Sequence, residues 1–257
     1  MGAALVGGLL AADWAPAELA VVERLPSRAT QLGGLFPGVT ISDQVVPADG
    51  VLIAVKPHDV AVAAAAAVEA GASRVLSIAA GVPLASLTAA CGDGIVVVRG
   101  MPNTPAVVGK GAAAMAGGPS ATEEDLAWAE EILSAVGTVV RVTEGQLDAV
   151  TALAGSGPAY LFLVIESLVE SGVLAGLPRA VSESLVRQLF IGSATLFLES
   201  GRDPAALRAE VTSPGGVTAA ALRVLEERGT RSAFLEAVMS GVSRSRELGA
   251  VQPPSSN

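Results

Sequence analysis

The chain of 257 residues contains little of what several catalytic mechanisms require: one cysteine, one histidine, one tyrosine and two lysines. Since Cys91 stands alone, no intrachain disulfide can form, and the sequence predicts a cytoplasmic protein in a reducing compartment. A Ser-His-Asp site would have to use His58, and nothing in the sequence supports the geometry that such a site needs. No metal site is expected.

Positive charge is also scarce. The chain has 16 basic and 25 acidic residues, a net charge of −9, and this balance argues against nucleic-acid binding, which needs a basic face. An anionic ligand would therefore have to be held by helix dipoles and a few arginines. Aromatic residues make up 3% of the chain and apolar residues 51%, so the core is expected to consist of Ala, Val and Leu.

Long hydrophobic runs are missing as well. A membrane span needs about 18 or more apolar residues in succession, and the helix predicted from Pro158 carries Glu166 and Glu170. Residues 3–12 are as apolar as the central region of a signal peptide, but no basic segment precedes them. We therefore expect no membrane association and no leader.

Short apolar runs alternate with helical segments up to about Arg141. Their hydrophobicity is continuous, which indicates strands covered on both faces, as in a parallel sheet. The runs are LAVVE (19–23), VLIAV (51–55), RVLSIA (74–79), GIVVVRG (94–100), AAAMAG (112–117) and GTVVRV (137–142). This order predicts an α/β fold with a Rossmann-like doubly wound parallel sheet in residues 1–142.

The strand signals stop at Thr143. Thr143 and Gln146 have the spacing of a capping box, and helices are expected over about 144–153, 158–175, 179–199, 204–211, 216–228 and 231–248. Residues 143–250 are thus predicted to form an all-helical domain, and residues 251–257 a flexible tail. One face of the last helix predicts a homodimer, because a small helical domain cannot bury all of its apolar residues, namely Phe234, Leu235, Val238, Met239 and Val242.

Two segments follow predicted strands at the edge where open α/β sheets bind ligands. In AVKPHDV (54–60), Lys56 is one of the two lysines and stands at a strand end; the alternative is a solvated lysine before a helix. In RGMPNTPAVVGKG (99–111), two prolines stiffen a loop from which Asn103 and Thr104 offer donors and acceptors. This second loop is equally compatible with a rigid connector.

The segment VTSPGGVTAAAL (211–222) has the features of a small-anion site. Gly215 and Gly216 would let backbone N–H groups approach a ligand closely, and the helix that follows adds its positive end. Ser213 and Thr218 contribute hydroxyls. The alternative is an ordinary turn between helices with Ser213 as the cap.

Six motifs occur in the order AVKP, AAGV, MPNTP, GSGPAY, AGLPR and VTSPGG. Together they resemble the pyrroline-5-carboxylate reductase family, and the resemblance extends from Gly2 to about Gly249. It implies a Rossmann domain followed by a helical dimerisation domain, with active sites at the dimer interface and often a ring of dimers. It also implies reduction of the cyclic imine 1-pyrroline-5-carboxylate to L-proline, the last step of proline synthesis, with NADPH or NADH as hydride donor.

The same resemblance implies roles for individual residues. The amides around Ser213, Gly215, Gly216 and Val217 would hold the substrate carboxylate, and Thr218 would contact the ring nitrogen as the catalytic hydroxyl. The nicotinamide half of the cofactor would be lined by two strand-end segments, Ala54, Val55, Lys56 and Pro57 in one and Ile78, Ala79 and Ala80 in the other, with Asn103 nearby.

The end of the second predicted strand bears on the choice of cofactor. Glu23 there is suited to ribose hydroxyls, the pattern of NAD, whereas Arg24 and Arg28 are suited to a 2′-phosphate, the pattern of NADP. Two cations against one acid favour NADPH, with NADH possible, and Arg24 occupies the position that the family uses for phosphate contact.

The opening MGAALVGGLL predicts a helix directly at the start, without the strand and glycine turn that should precede it in a βα unit. By the resemblance, Gly2 would be the third glycine of a G-x-G-x-x-G fingerprint. We therefore expect an upstream strand in the natural protein, because its loss would leave its neighbours about 10 Å apart. The alternative is a short form with a remodelled sheet.

Two further functions stay open at this point. A 3-hydroxyacid dehydrogenase shares the plan of a Rossmann domain with helices but needs a catalytic lysine in the helical domain, and no lysine follows Lys110. The other alternative is a cofactor-deficient dimeric remnant without reductase activity.

Overall fold

The strands lie between residues 20 and 141 of a computed structural model that describes residues 1–250. Each forms where β-branched or small apolar residues follow one another, and each is short. They are β1 (Ala20–Val22), β2 (Thr40–Ser42), β3 (Gly50–Ile53), β4 (Arg74–Ser77), β5 (Val96–Met101), β6 (Gly111–Gly117) and β7 (Gly137–Arg141).

Helices lie before, between and after these strands. Those among the strands are α1 (Gly2–Ala11), α2 (Pro26–Leu35), α3 (Val60–Glu69), α4 (Leu84–Cys91) and α5 (Glu123–Ser134). Those that follow are α6 (Leu147–Val150), α7 (Gly157–Leu174), α8 (Arg179–Ser200), α9 (Pro204–Glu210), α10 (Val217–Glu227) and α11 (Thr230–Ala250). The predicted tail, residues 251–257, lies outside the described residues.

The predicted doubly wound sheet is divided into two. β1 and β2 form a parallel pair, and the five other strands form a separate sheet in the order β3-β4-β5-β6-β7. Its pairs are parallel except for β5 and β6, which are antiparallel. The wholly parallel arrangement is wrong for that pair, because the connection 102–110 is shorter than the dozen residues that a parallel crossover needs.

Both faces of the larger sheet are buried, as the continuous hydrophobicity of its strands predicts. On one face, Val75 and Val97 pack with Leu147 and residues of α3 and α4. On the other, Leu76 and Val98 pack with Leu133 and residues of α1 and α5. A ligand can therefore reach this sheet only at the strand ends.

The opening helix α1 packs on the second of these faces. Leu5 and Leu9 are buried, whereas Ala12 lies beyond the end of the helix and is exposed. A Cβ on Gly8 would lie 2.4 Å from Val136 Cγ1, so this position requires glycine for the helix to approach α5 so closely.

The chain divides into two compact units, and the boundaries differ from those of the predicted domains. One unit comprises Met1–Pro158 together with the last part of α11, which begins at Met239, and the other comprises Ala159–Val238. The predicted boundary at 142/143 follows the change in secondary structure, since β7 ends at Arg141. The boundary between the compact units instead follows the spatial contacts. Leu147 is buried in the core of the sheet, so the first helical residues after β7 belong to the unit that contains the sheet.

Local signals in the helical part are confirmed. The backbone N–H of Thr143 donates to Gln146 Oε1 at 2.9 Å, as the capping box predicts. Within the second unit, Ser182 on α8 donates its hydroxyl to the carbonyl of Val169 on α7 at 2.8 Å. A Cβ on Gly172 would lie 2.2 Å from Ser182 Oγ, so the absence of a side chain there allows the two helices to pack closely.

One helical stretch passes a coarser test of hydrophobicity than the one used on the sequence. Glu144–Leu174 is long and apolar enough to span a membrane by length and composition, with a mean hydropathy of 1.5. An average over a long window tolerates the two carboxylates, Glu166 and Glu170, which interrupt the apolar run. The same composition is found in the core helices of other proteins.

Candidate functional site

The end of β3 forms the first part of the candidate site. β3 stops at Ile53, two residues earlier than predicted, so Ala54, Val55, Lys56 and Pro57 form an exposed connection to α3. A Cβ on Gly2 would lie 3.4 Å from Ala54 Cβ. The structure thus brings the start of α1, with the positive end of its dipole, next to the first predicted cofactor segment.

The end of the neighbouring strand β4 forms the second part. Its pairing with β3 continues one step beyond the strand, where the N–H of Ile78 donates to the carbonyl of Ile53 at 3.1 Å. Two of the side chains in this segment point into the protein, since Ile78 packs against the second core cluster and Ala79 belongs to the first. Ala80 alone of the three is exposed, so this segment can offer chiefly its backbone.

Asn103 holds the loop after β5 rather than presenting a free amide. Its Oδ1 accepts the N–H of Ala112 at 2.9 Å, and its Nδ2 donates to the carbonyl of Ala154 at 3.0 Å. The residue is 8% exposed. Both polar groups of this side chain are therefore engaged within the protein, and the side chain stiffens the loop in the way that the connector interpretation describes.

A π-helical turn over Thr151–Gly155 lies on the other side of that contact. The N–H of Ser156 donates to the carbonyl of Thr151 at 2.9 Å, and a Cβ on Gly155 would lie 2.8 Å from Met101 Cε. The MPNTP and GSGPAY motifs are thus joined directly. Such turns occur often at functional sites, and the hydrophobic period gave no sign of this one.

An ionic cluster of one buried arginine and two partly exposed carboxylates, beneath these loops, was not foreseen. Arg99 lies on β5, 5% exposed, and its Nη1 is 3.6 Å from Glu144 Oε1. The same carboxylate oxygen accepts the N–H of Leu84, at the start of α4, at 2.6 Å. Burial lowers the pKa of the Arg99 guanidinium, and the charges of Glu144 and Asp148 oppose that shift. The sequence contained one sign of this cluster, because Arg99 is a charged residue within the otherwise apolar strand GIVVVRG.

Arg24 lies on the rim of an open cleft of about 310 Å³ beside the end of β1. It is exposed and makes no hydrogen bond or ion pair to any residue in 1–250, whereas Glu23 Oε1 accepts the N–H of Leu25 at 2.9 Å. The rest of the lining includes Gln44 and two carboxylates, Asp43 and Glu69. Arg24 is thus the cation available there for an anionic ligand.

The predicted anion site lies in the second unit, at the start of α10. The helix begins at Val217, with Gly216 as its N-cap and no side-chain cap. Gly215 has φ +67°, and a Cβ on Gly216 would lie 2.5 Å from Ser213 Oγ. The turn therefore favours glycine at 215, a Cβ at 216 would require the Ser213 hydroxyl to move, and Ser213 does not cap the helix.

Thr218 stands in the first turn of α10, where backbone N–H groups have no partner within the helix. It is half-buried. Thr218 thus belongs to the turn whose backbone amides are free, within the segment where the sequence predicts an anion site. Among the described histidine, cysteine and carboxylate residues, no group of three is placed to hold a metal ion.

Comparison with known families identifies the helical part. A family model for pyrroline-5-carboxylate reductase dimerisation matches residues 144–248. Over the whole chain, the curated pyrroline-5-carboxylate reductase of Corynebacterium melassecola is 41% identical, and the alignment covers 97% of this chain and 95% of that one. The enzyme of the same name from Synechocystis is 43% identical with the same coverage.

Solved structures give the same result for the fold. A pyrroline-5-carboxylate reductase from Coxiella burnetii has a TM-score of 0.89 and 34% identity, covering 95% of this chain and 93% of its own. A Plasmodium falciparum pyrroline carboxylate reductase solved with NADP bound has a TM-score of 0.80 and 26% identity, covering 97% and 94%.

The contacts of Asn103 give a prediction about stability. Asn103→Leu leaves the Ala112 N–H and the Ala154 carbonyl without their partner, and unfolding by urea at fixed protein concentration is expected to show a loss of about 2–5 kcal/mol, since a buried unpaired group costs about 1–3 kcal/mol. Asn103→Asp keeps the acceptor for Ala112 but buries a charge and turns an oxygen toward the Ala154 carbonyl, so it should not restore the stability of the parent. Equal stability of Asn103→Leu and the parent would contradict the structural role of this amide.

Proposed function

The chain belongs to the pyrroline-5-carboxylate reductase family, and from that membership we propose that it reduces 1-pyrroline-5-carboxylate to L-proline with NADPH. It is then an oxidoreductase acting in the final step of proline synthesis. The observation that carries this proposal is the identity of 41% to a curated reductase over 97% of the chain.

The proposed reaction asks for orientation more than for acid–base catalysis. NADPH, when bound, supplies a hydride to the imine carbon, while the ring nitrogen carries or gains a proton. A substrate that binds in its protonated form needs no strong acid from the protein, which agrees with a chain containing one histidine and one tyrosine. What the residues must do is hold both reactants at near-attack distance.

The geometry of the sheet edge fits a dinucleotide. The start of α1 lies against Ala54, so its dipole and free amides are placed for a pyrophosphate, with Gly2 allowing the close approach. The exposed segment 54–57 and the backbone at 78–80 would line the nicotinamide half. Asn103 would act by shaping the neighbouring loop. Arg24, unpaired in its cleft, would bind the 2′-phosphate and so favour NADPH over NADH.

The substrate carboxylate fits the start of α10. The amides around Ser213, Gly215, Gly216 and Val217 supply neutral donors together with the positive end of the helix dipole. Thr218, in the first turn, is placed to hydrogen-bond the ring nitrogen, and we assign it the catalytic hydroxyl. This arrangement holds an anion without cationic side chains, in a chain of net charge −9.

The two competing functions have less support. A 3-hydroxyacid dehydrogenase would need a lysine in the helical region, and no lysine follows Lys110. A remnant that had lost its cofactor is not favoured, because the similarity to curated reductases extends over 97% of the chain, including the cofactor segments.

Homodimer formation, in the cytoplasm, completes the proposal. The family match shows a dimerisation region, and α7, α8 and α10 expose large apolar side chains, among them Leu161, Phe162, Leu163, Leu185, Leu189, Leu198 and Leu225. The predicted face of α11 contributes Phe234, Leu235 and Met239, whereas Val242 is 6% exposed and belongs to the interior. Assembly of the dimers into a ring is a further possibility that the resemblance raises.

The first test concerns Thr218. In the parent, pyrroline-5-carboxylate should drive NADPH oxidation with formation of proline, and Thr218→Ala should lower kcat while leaving NADPH binding unchanged. Loss of one transition-state hydrogen bond is expected to cost about 1–3 kcal/mol, roughly 5- to 150-fold in rate. Thr218→Ser keeps the hydroxyl and is the matched control. An unchanged rate in Thr218→Ala removes this residue from the mechanism, and a parent without turnover overturns the function.

The second test concerns the cofactor. Arg24→Ala should weaken or reverse a preference for NADPH, because a charge-assisted bond to the 2′-phosphate contributes about 1.5–3 kcal/mol, roughly 10- to 150-fold in kcat/KM. The value of kcat/KM with NADH should change little, and Arg24→Lys should retain part of the preference. If the parent uses both cofactors with equal efficiency, the assignment of Arg24 is wrong.

The third test concerns assembly. Light scattering should show a dimer at micromolar concentration, and Leu235→Asp should raise its dissociation constant at least about tenfold, since an unpaired buried carboxylate costs well over 1.4 kcal/mol. Val62→Asp is the matched control, because Val62 on α3 is exposed to a similar degree, 63% against 68% for Leu235. A stable monomeric parent would contradict the dimer.

A further inference from the structure

We propose that Arg99 and Glu144 are positioning residues that hold two ligand-facing loops from beneath, residues 78–83 after β4 and residues 102–106 after β5. Asp148 and Ser245 extend this device by tying it to the end of α11. The inference rests on the proposed function, because the first of these loops is assigned there to the nicotinamide half of the cofactor and Asn103, in the second, to shaping the neighbouring loop.

The position of Arg99 is difficult to explain by stability alone. It faces the core cluster that contains Val97, and its neighbour in register on β4 is Ser77, which is fully buried. Taking a guanidinium out of water is unfavourable, and its partner Glu144 keeps 39% of its side chain exposed, so their attraction offsets only part of that cost. A charge kept at such a place is better explained by the specific geometry that it imposes.

Glu144 connects that charge to the first loop. Its Oε1 lies 3.6 Å from Arg99 Nη1 and accepts the N–H of Leu84 at 2.6 Å. Leu84 is the first residue of α4 and directly follows the loop 78–83. At the other end of this loop, the N–H of Ala79 donates to Ser77 Oγ at 3.4 Å. The loop is therefore held at both ends by polar groups on one face of the sheet.

Arg99 itself leads into the second loop. Two residues further along β5, Met101 packs against the π-helical turn at Gly155, and then Asn103 bonds to Ala154. The orientation of β5 at Arg99 is thus transmitted over four residues to this contact. The ion pair between Arg99 and Glu144 therefore fixes the positions of residues next to both loops.

The last part of α11 closes the arrangement. Ser245 donates its hydroxyl to Asp148 Oδ1 at 2.7 Å, and Arg246 Nε lies 3.8 Å from Asp148 Oδ2. A Cβ on Gly81 would lie 3.6 Å from Leu248 Cβ, so the same helix touches the first loop. Both ends of the dimerisation region, 144–148 and 245–248, therefore contact the cluster or the loop that it holds.

The decisive experiment compares Glu144→Ala, Glu144→Gln, Arg99→Met and Arg99→Lys with the parent. The matched control is Glu227→Gln, which removes a charge from the exposed pair Arg223–Glu227 on α10. Amide hydrogen exchange in the unliganded protein is read at residues 78–84 and 102–106, with β1 and α2 as internal references. The NADPH dissociation constant and the KM for pyrroline-5-carboxylate are measured for the same proteins.

We expect Glu144→Ala and Arg99→Met to accelerate exchange in both loops at least tenfold, and at the references less than twofold. Their NADPH dissociation constants should rise at least tenfold, while the substrate KM stays within threefold. Arg99→Lys and Glu144→Gln, which keep part of the contacts, should show smaller changes, and Glu227→Gln none. If the severe variants fail to fold, these two conservative variants decide by the same comparison.

Three results would overturn the proposal: unchanged exchange in the loops, acceleration equal to that at the references, or normal NADPH affinity with mobile loops. The first two readings need neither cofactor nor substrate. A parent that fails to bind NADPH or to turn over therefore contradicts the proposed function, while loop exchange in the variants still decides whether Arg99 and Glu144 position these segments.

Discussion

Alternate residues of β4 and β5 pack into opposite clusters, Val75 and Val97 into one and Leu76 and Val98 into the other. With both faces of the sheet covered, the strand ends are the part of it that a ligand can reach. The exposed segment 54–57 and residue Ala80 lie at these ends. The location of the candidate cofactor site thus follows from the way the core is buried, and small side chains let the helices cover the sheet closely enough to achieve it.

The chemistry that the site offers reflects the scarcity of cations. Apart from Arg24, the proposed contacts to anionic groups come from backbone amides at the starts of α1 and α10, where the helix dipole adds a partial positive charge. Such donors need close approach rather than side-chain charge. This requirement explains why glycine stands at Gly2, which faces Ala54, and at Gly215, whose φ of +67° suits the turn before α10.

The sequence predicts those parts of the structure that depend on neighbours along the chain. Continuous apolar runs predict six of the strands, and the Thr143 capping box predicts a helical start that the structure confirms. β2 was missed because Thr40–Ser42 is short and carries two hydroxyl residues. The antiparallel pairing of β6 was missed because continuous hydrophobicity does not distinguish strand directions in a sheet that is buried on both faces.

Contacts between distant residues escape such reasoning. Asn103 meets Ala154 across 51 residues, and Ser245 meets Asp148 across 97, and no periodicity in the sequence encodes either distance. Without those contacts Asn103 is indistinguishable from a free loop amide and Glu144 from an exposed residue of a capping box. The resemblance to a known family identifies the motifs, but only the structure shows what holds them in place.

The apolar stretch Glu144–Leu174 illustrates how a family assignment changes the meaning of composition. Its mean hydropathy is compatible with a bilayer or with a protein interface. In a bilayer, Glu166 and Glu170 would each oppose insertion by a few kcal/mol, whereas at the edge of a protein interface both carboxylates can remain in water. The exposed side chains of Leu161 and Phe162 on the same helix lie within the matched dimerisation region. An interface between protein chains can therefore bury these apolar residues without desolvating the two charges.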